Sequence, residues 1–166
     1  ILLSEDILNA ISCLKKLGIK IYLKKNLCCV YGKGINGFEY KKNVTLNAGN
    51  SGTFARLILG LLVKSPYYIK LVGDKSLSER DFERVISPLQ KVGANFKVNI
   101  KKTLPLQIIG SEFINPIHYI ENRGSAQCKS TIMLAALNLP GKTVIKAKKS
   151  RDHTENIFKY LGIPII

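Results

Sequence analysis

The chain has 166 residues, a formal net charge of +15 and 46% hydrophobic residues. This length and hydrophobic content predict one ordered globular domain and exclude an intrinsically disordered chain. The longest apolar runs, 57–63 and 132–139, are too short to cross a bilayer, so we expect no membrane anchor.

The excess positive charge has three possible explanations: a lysine-rich solvated surface, a site for small anions, or nucleic-acid binding. The lysines occur in scattered doublets such as Lys15-Lys16 and Lys101-Lys102, rather than in one stripe. They are not interleaved with aromatic residues, as they are in proteins that bind single strands. The pattern favours a solvated surface or an anion site, and we expect no nucleic-acid partner.

The cysteines and the chain start give further expectations. The four cysteines form no CxxC pair and stand at no metal-ligand spacing from His118 or His153. We therefore expect reduced thiols, no metal and a cytoplasmic location. The chain starts at Ile1, and no basic segment leads into an apolar one near it. This predicts that the natural N-terminus is missing and that there is no signal peptide.

A helical pattern recurs three times along the chain. The segments "DILNAISCLKKLG" (6–18) and "DFERVISPLQKVG" (81–93) both run from Asp to Gly, and "SRDHTENIFKYLG" (150–162) ends in the same way. Each segment has apolar residues at helical spacing, a capping residue at its start and a glycine at its end. Two β-like runs follow each of the first two segments, so we predict amphipathic helices that lead into hairpins.

A second element also repeats. The segments "NAGNSGTFARLILGLL", from Asn47, and "NRGSAQCKSTIMLAAL", from Asn122, align Asn on Asn and Gly on Gly at an offset of 75. Each opens with small polar residues, continues as an apolar helix and reaches a strand, "YIKLVG" or "TVIKA". Because these helices lack a polar face, we expect them to lie in the interior.

Together the repeats predict an α/β fold built from units of the order strand, helix, strand, helix, strand, strand. The chain is then one incomplete domain with a truncated first unit (1–43), a second unit (44–111) and a truncated third unit (112–166). Sheets and outer amphipathic helices surround the buried helices in this prediction.

The residues before the first buried helix are predicted to bind an anion. A helix N-terminus has backbone N–H groups without helical partners and the positive end of the helix dipole. Gly52 would let a ligand approach the backbone, while Asn50, Ser51 and Thr53 offer donors and Arg56 lies one turn further on. The alternative is ordinary capping by Ser51 or Thr53.

The second buried helix strengthens the anion prediction. Ser125, Ala126 and Gln127 stand at its N-terminus, with Lys129 just beyond. Two polar helix N-termini in equivalent repeats favour a shared or a bipartite anionic ligand.

Two arginines fit the same interpretation. Arg80 and Arg151 each precede an amphipathic helix, where a cation is unfavourable unless an anion lies nearby. They are therefore candidates for phosphate or carboxylate contacts, and the alternative is a salt bridge to Asp81 or Asp152.

Four motifs carry a resemblance to a known family. The segments "GNSGTFAR", "GDKSLSERDFERVISPLQKVGA", "GSAQCKSTIMLAALNLPGKT" and "SRDHTENIFKYLG" appear in the family's order and spacing. Over essentially its whole length the chain resembles the amino-terminal domain of the EPSP synthase (3-phosphoshikimate 1-carboxyvinyltransferase) family. The resemblance implies the inverse α/β prism fold of enolpyruvyl transferases, with this chain as a fragment of one domain. It also implies a second domain of the same chain that closes over the substrates.

The resemblance implies an enzyme of the shikimate pathway, which leads to chorismate and the aromatic amino acids. Its reaction transfers the enolpyruvyl group of phosphoenolpyruvate to the 5-hydroxyl of shikimate 3-phosphate and releases phosphate. No metal or organic cofactor is implied, and glyphosate is the implied inhibitor. The alternative is a non-catalytic phospho-ligand or protein-interaction module of the same fold.

The resemblance also implies roles for individual residues. The residues that resemble phosphoenolpyruvate contacts are Asn50, Gly52, Thr53, Arg80 and Gln127. Those that resemble shikimate 3-phosphate contacts are Ser125, Ala126, Gln127 and Arg151. The family's proton-transferring carboxylates and lysine belong to the second domain, so we expect no catalytic acid or base here. Asp81 departs from the family pattern, which usually has proline at that position.

Overall fold

Helices and strands alternate along the computed structural model, which describes residues 1–25 and 27–166. The helices are α1 (Glu5–Lys16), α2 (Gly52–Leu61), α3 (Lys75–Ser78), α4 (Glu83–Val92), α5 (Ala126–Ala136) and α6 (His153–Tyr160). The strands are β1 (Lys20–Lys24), β2 (Leu27–Tyr31), β3 (Thr45–Asn47), β4 (Ile69–Val72), β5 (Asn95–Lys97), β6 (Leu106–Ile109), β7 (His118–Glu121) and β8 (Val144–Ala147).

The strands form three sheets. Strands β1 and β2 make an antiparallel pair, and β7 and β8 make a parallel pair. Between them in sequence lies a four-stranded sheet of order β3-β4-β6-β5, in which β3 and β4 are parallel and the other pairs antiparallel. From β3 to β6 the elements follow the predicted order, with the short helix α3 added. The mixed α/β fold is confirmed, while the bounds of the three units stay a prediction.

Helices α2 and α5 pack against each other in the interior. At their contact a Cβ atom on Gly60 would lie 2.2 Å from the carbonyl oxygen of Thr131, so the closeness of the backbones requires glycine there. Leu59 and Ile132 are fully buried beside this contact. The prediction of buried helices is confirmed, but α5 is not apolar throughout, because Lys129 and Ser130 are also buried.

The amphipathic helices end as predicted. Gly18, Gly93 and Gly162 follow α1, α4 and α6 with φ angles of +86°, +127° and +69°. These are conformations that residues with a Cβ atom rarely adopt, so glycine ends each helix.

Within the described residues, the predicted side-chain capping is wrong for α1 and α6, and at α4 it is met in part by Asp81. The N-cap residues are Ser4, Phe82 and Asp152, and none forms a side-chain capping bond within the described residues. Asp81 comes nearest to that role, since its carboxylate accepts a hydrogen bond from the amide of Glu83 (2.7 Å). Periodicity locates an amphipathic helix well, but it does not decide which nearby polar residue reaches the helix end.

The two buried helices correspond at a different offset from the predicted one. Ser51 and Ser125 are the N-cap residues of α2 and α5, which places Thr53 opposite Gln127, 74 positions away. Alignment of the glycines had suggested 75, but the turns before the two helices place their glycines differently.

Among the described helices, none is both long and apolar enough to span a membrane.

Candidate functional site

The residues at the N-terminus of α2 (50–53), called the α2 mouth, are positioned by the turn that follows β3. The Asn47 side chain accepts a hydrogen bond from the amide of Gly49 (3.0 Å), which has a φ angle of +56° and turns the chain towards α2. Ser51 then caps the helix by accepting from the amide of Phe54 (3.3 Å). Capping by Ser51 is therefore confirmed, whereas the Thr53 hydroxyl takes a different partner.

Two guanidinium groups converge on Gly52. A Cβ atom on this residue would lie 2.9 Å from Nη1 of Arg56 and 2.9 Å from Nη1 of Arg80. The positive end of α2 and both cations therefore act on the same small volume. Each of these features favours an anion.

Arg80 is held in place by neutral contacts. Its Nη2 donates to the side-chain oxygen of Asn50 (2.9 Å), and the Asn50 amide donates to Asp74 (2.6 Å). Asp74 also caps α3 by accepting from the amide of Leu77 (2.7 Å). Arg80 thus lies in the turn between α3 and α4, and within the described residues the proposed salt bridge to Asp81 does not form.

Arg56 joins the two helix N-termini. Its Nη1 donates to the carbonyl of Gly52 (3.2 Å) and to Oε1 of Gln127 (3.1 Å). Its Nη2 donates to the carbonyl of Asp81 (3.3 Å), and the guanidinium lies 5.0 Å from the ring centroid of Phe82. These acceptors are all uncharged.

Burial lowers the pKa of Arg56, and the nearby charges of Arg80 and Arg84 act in the same direction. The group still stays protonated, because an arginine does not lose its proton in proteins. A bound anion would therefore relieve an unfavourable accumulation of positive charge.

The α5 mouth (residues 124–127) contacts the α2 mouth directly. Ser125 caps α5 by accepting from the amide of Cys128 (3.3 Å), and Ala126 is the first helical residue. Nε2 of Gln127 donates to the Thr53 hydroxyl (2.8 Å), while its Oε1 accepts from Arg56. Gln127 therefore bridges the two mouths.

Arg151 lies against α5 through its main chain. Nζ of Lys129 donates to the Arg151 carbonyl (3.1 Å) and forms an ion pair with Glu155 of α6. The Arg151 side chain is exposed, and no ion pair to Asp152 forms in the part of the chain that the structure describes. The structure thus brings together Asn50, Gly52, Thr53, Arg80 and Gln127, by direct contacts or through Arg56, whereas Arg151 contacts α5 through the bond from Lys129 to its main-chain carbonyl.

A buried network beside the α5 mouth was not predicted. Glu121, only 4% exposed, pairs with Arg84 (2.5 Å) and accepts from the amide of Arg123 (2.8 Å) and the hydroxyl of Tyr119 (2.8 Å). Burial opposes ionisation, but these hydrogen bonds and the Arg84 charge lower the pKa of Glu121. The sequence position of Glu121 could have indicated its role. It ends β7 just before α5, as Asn47 ends β3 just before α2.

The cysteines are unpaired thiols in the described part of the chain. Cys13, Cys28, Cys29 and Cys128 are free thiols. Among residues 1–25 and 27–166, no three side chains of the metal-binding types are grouped together.

Comparison with known proteins decides the family. A family model described as "EPSP synthase (3-phosphoshikimate 1-carboxyvinyltransferase)" matches residues 1–166. The chain belongs to the EPSP synthase family.

Individual relatives agree with this assignment. The 3-phosphoshikimate 1-carboxyvinyltransferase of Petrotoga mobilis is 43% identical over 98% of this chain and 38% of its own length. That of Bacillus cytotoxicus is 41% identical over 99% of this chain and 39% of its own length. The chain therefore spans about two fifths of the length of these curated relatives.

Solved structures show the same fold. EPSP synthase from Acinetobacter baumannii superposes with a TM-score of 0.90 at 34% identity, over 98% of this chain and 37% of that chain. The enolpyruvyl transferase NikO from Streptomyces tendae has a TM-score of 0.61 at 16% identity, over 92% and 34% of the two chains. The second likeness concerns the fold alone.

Proposed function

We propose that the chain forms one wall of the substrate site of an EPSP synthase. The enzyme would transfer the enolpyruvyl group of phosphoenolpyruvate to the 5-hydroxyl of shikimate 3-phosphate and release phosphate. The observation that carries the proposal is the bridge of Gln127, which contacts both Thr53 and Arg56 and so joins two electropositive helix N-termini. Two polyanions held side by side need such converging dipoles and cations to overcome their repulsion.

The α2 mouth is the proposed phosphoenolpyruvate subsite, formed by Asn50, Gly52, Thr53, Arg80 and Gln127. Phosphoenolpyruvate carries a phosphate and a carboxylate, and the space beside Gly52 is flanked by two guanidinium groups. Arginine suits both anions because its planar donors can form paired hydrogen bonds.

The α5 mouth is the proposed shikimate 3-phosphate subsite, formed by Ser125, Ala126, Gln127 and Arg151. The Ser125 hydroxyl accepts a hydrogen bond as the helix cap, which leaves its proton available for a ligand oxygen. The exposed guanidinium of Arg151 is the cation offered to the 3-phosphate. Gln127 would lie between the two substrates.

In this proposal the chain binds and orients substrates but moves no proton. The reaction forms a carbon–oxygen bond to the enolpyruvyl carbon, passes through a tetrahedral adduct and loses phosphate. The groups that give and take protons would come from the second domain. We therefore expect negligible turnover from these 166 residues alone, and enolpyruvyl transfer by them would contradict this division of roles.

The test uses the full-length enzyme that contains these residues. Wild type should transfer the enolpyruvyl group, and Arg151→Ala should raise the KM for shikimate 3-phosphate about tenfold or more, because it removes a charge-assisted contact. Lys159→Ala, which removes an exposed charge from α6, is the matched control and should change little. Absence of transfer, or an unchanged KM in Arg151→Ala, would overturn the proposal. Binding of shikimate 3-phosphate without any transfer would instead indicate a non-catalytic phospho-ligand module.

Glyphosate is proposed as a competitor at the α2 mouth. Gly52→Ala would place a methyl group within 2.9 Å of two guanidinium nitrogens, in the space that the inhibitor needs. We expect the variant to have a higher inhibition constant than wild type. Equal constants would refute competition at this position.

We also propose a cytoplasmic location, which is supported by the free thiols of all four cysteines.

A further inference from the structure

Lys129 is an unusual residue to find inside a protein. It is only 8% exposed and belongs to the first turns of α5, where the helix dipole disfavours a cation. Lysine is seldom fully buried unless its ammonium group is paired. Its two partners are Arg151, just before α6, and Glu155, in the first turn of that helix.

The two partners of Lys129 flank the start of α6. The ammonium group donates to the carbonyl of Arg151 (3.1 Å) and pairs with the carboxylate of Glu155. One residue further along α5, the hydroxyl of Ser130 lies 2.7 Å from that of Thr154. Side chains of α5 thus hold the main chain of Arg151 and the first turn of α6.

The start of α6 is not held by a side-chain cap within the described residues. Asp152 stands at the N-cap position, but its side chain makes no capping hydrogen bond within the described part of the chain. The bond from Lys129 is consequently a main constraint on the backbone that carries the Arg151 side chain.

Stability alone is a poor explanation for this ion pair. Oε2 of Glu155 is buried and has no hydrogen-bond partner among the described residues. The Glu155 side chain is 22% exposed, so the pair is only partly buried, and with one carboxylate oxygen unsatisfied it recovers little of its desolvation cost. A positioning role explains why such a costly pair lies directly behind Arg151.

We propose that Lys129 is a positioning residue that holds the Arg151 guanidinium at the 3-phosphate of shikimate 3-phosphate. This inference rests on the proposed function, because it needs Arg151 to contact that phosphate. Lys129 does not contact substrate. It acts by fixing the main chain of residue 151 relative to the α5 mouth.

The experiment compares variants of the full-length enzyme. Lys129→Met keeps the apolar stem and removes the ammonium group. It should raise the KM for shikimate 3-phosphate about tenfold, because a displaced Arg151 would lose its charge-assisted contact with the phosphate, and leave the KM for phosphoenolpyruvate unchanged. Lys159→Met removes the same charge from the exposed face of α6 and should leave both constants unchanged.

A double-mutant cycle separates positioning from a purely structural role. If Lys129 acts through Arg151, then Lys129→Met should have almost no further effect on shikimate 3-phosphate in an Arg151→Ala background. Additive effects of the two changes would overturn the inference. If Lys129→Met leaves Glu155 unpaired and the protein unfolds, the double variant Lys129→Met with Glu155→Gln removes that charge and should show the same KM shift.

The outcomes distinguish this inference from the proposed function. Loss of shikimate 3-phosphate affinity in Arg151→Ala, with normal affinity in Lys129→Met, would overturn the positioning role and leave the proposed function intact. Absence of enolpyruvyl transfer in wild type would overturn both.

Discussion

The two helix mouths have the same backbone design. In each, the last side chain of a strand, Asn47 or Glu121, accepts from the amide two residues further on. In each, a serine, Ser51 or Ser125, then caps the buried helix. The duplicated backbone thus presents two similar sets of amide groups to one region.

The mouths differ in how their cations are compensated. At the α2 mouth, the hydrogen bonds that Arg56 and Arg80 donate within residues 1–25 and 27–166 all go to uncharged oxygens. Beside the α5 mouth, Arg84 pairs with Glu121, and Lys129 pairs with Glu155. Among the described residues, the α2 mouth therefore holds two arginines without an ion pair, and the exposed Arg151 near the α5 mouth also has none. The two mouths thus share a backbone geometry and differ in how their neighbouring cations are paired.

The largest expected effect comes from forcing apart the two buried helices that carry the mouths. Gly60→Ala would place a Cβ atom 2.2 Å from the Thr131 carbonyl oxygen, so α2 and α5 would have to move apart. We expect the free energy of unfolding to fall by about 3 kcal/mol in urea titrations. Gly32→Ala is the control, because a Cβ atom there would meet nothing within 4 Å. Equal stabilities of the two variants would contradict the close packing.

The next effect comes from removing the link between the mouths. Arg56→Met should lower the free energy of unfolding by about 2 kcal/mol, because bonds to Gly52, Gln127 and Asp81 are lost together. Arg56→Lys keeps the charge but loses the planar donors, so it should restore little of this stability. Full recovery in the lysine variant would show that charge, rather than geometry, holds the mouths together.

A smaller effect is expected from breaking the ion pair of Arg84 and Glu121 beside the α5 mouth. Glu121→Gln should lower the free energy of unfolding by about 1.5 kcal/mol at pH 7. The change removes a buried carboxylate that accepts a hydrogen bond from a charged donor, Arg84. The pKa of Glu121 in the folded protein lies below its ordinary value of 4.5, so the carboxylate stabilises the fold above that pH. This contribution is lost as the pH falls below 4.5 through the lower pKa of the folded state. The free energies of unfolding of wild type and variant, measured by denaturant titration, should therefore converge as the pH falls below 4.5. A difference that stays constant with pH would contradict the lowered pKa of Glu121.

The smallest effect compares the two caps. Ser51→Ala and Ser125→Ala should each lower the free energy of unfolding by about 1 kcal/mol, as is typical of a lost N-cap. Only Ser125→Ala should also raise the KM for shikimate 3-phosphate in the full-length enzyme. If both variants change that KM equally, the division of the site into two subsites is wrong.

Local chemistry explains which features could be predicted from the sequence. The glycines that end α1, α4 and α6 were recognisable because few other residues adopt their positive φ angles. The two mouths were recognisable because small polar residues lead directly into apolar helices. Helix α3 was missed because four residues are too short to show a period.

Long-range pairing explains what the sequence did not reveal. The bond from Arg56 to Gln127 joins residues 71 positions apart, and the pair of Arg84 and Glu121 spans 37 positions. Charge patterns along the chain cannot identify such partners. The prediction that Arg80 and Arg151 lie near anionic ligands used only the rule that a cation is unfavourable before a helix. The positions of their side chains depend on contacts with residues far away in the sequence.

The hydrogen bond between Gln127 and Thr53 has an evolutionary consequence. It joins positions that correspond in the two buried helices, because each lies two residues after a serine N-cap. A substitution at either position removes a partner from the other, so the two sites should change in step rather than independently. If the two helices arose from one repeated unit, as the sequence predicts, their direct contact would constrain how far the two copies can diverge.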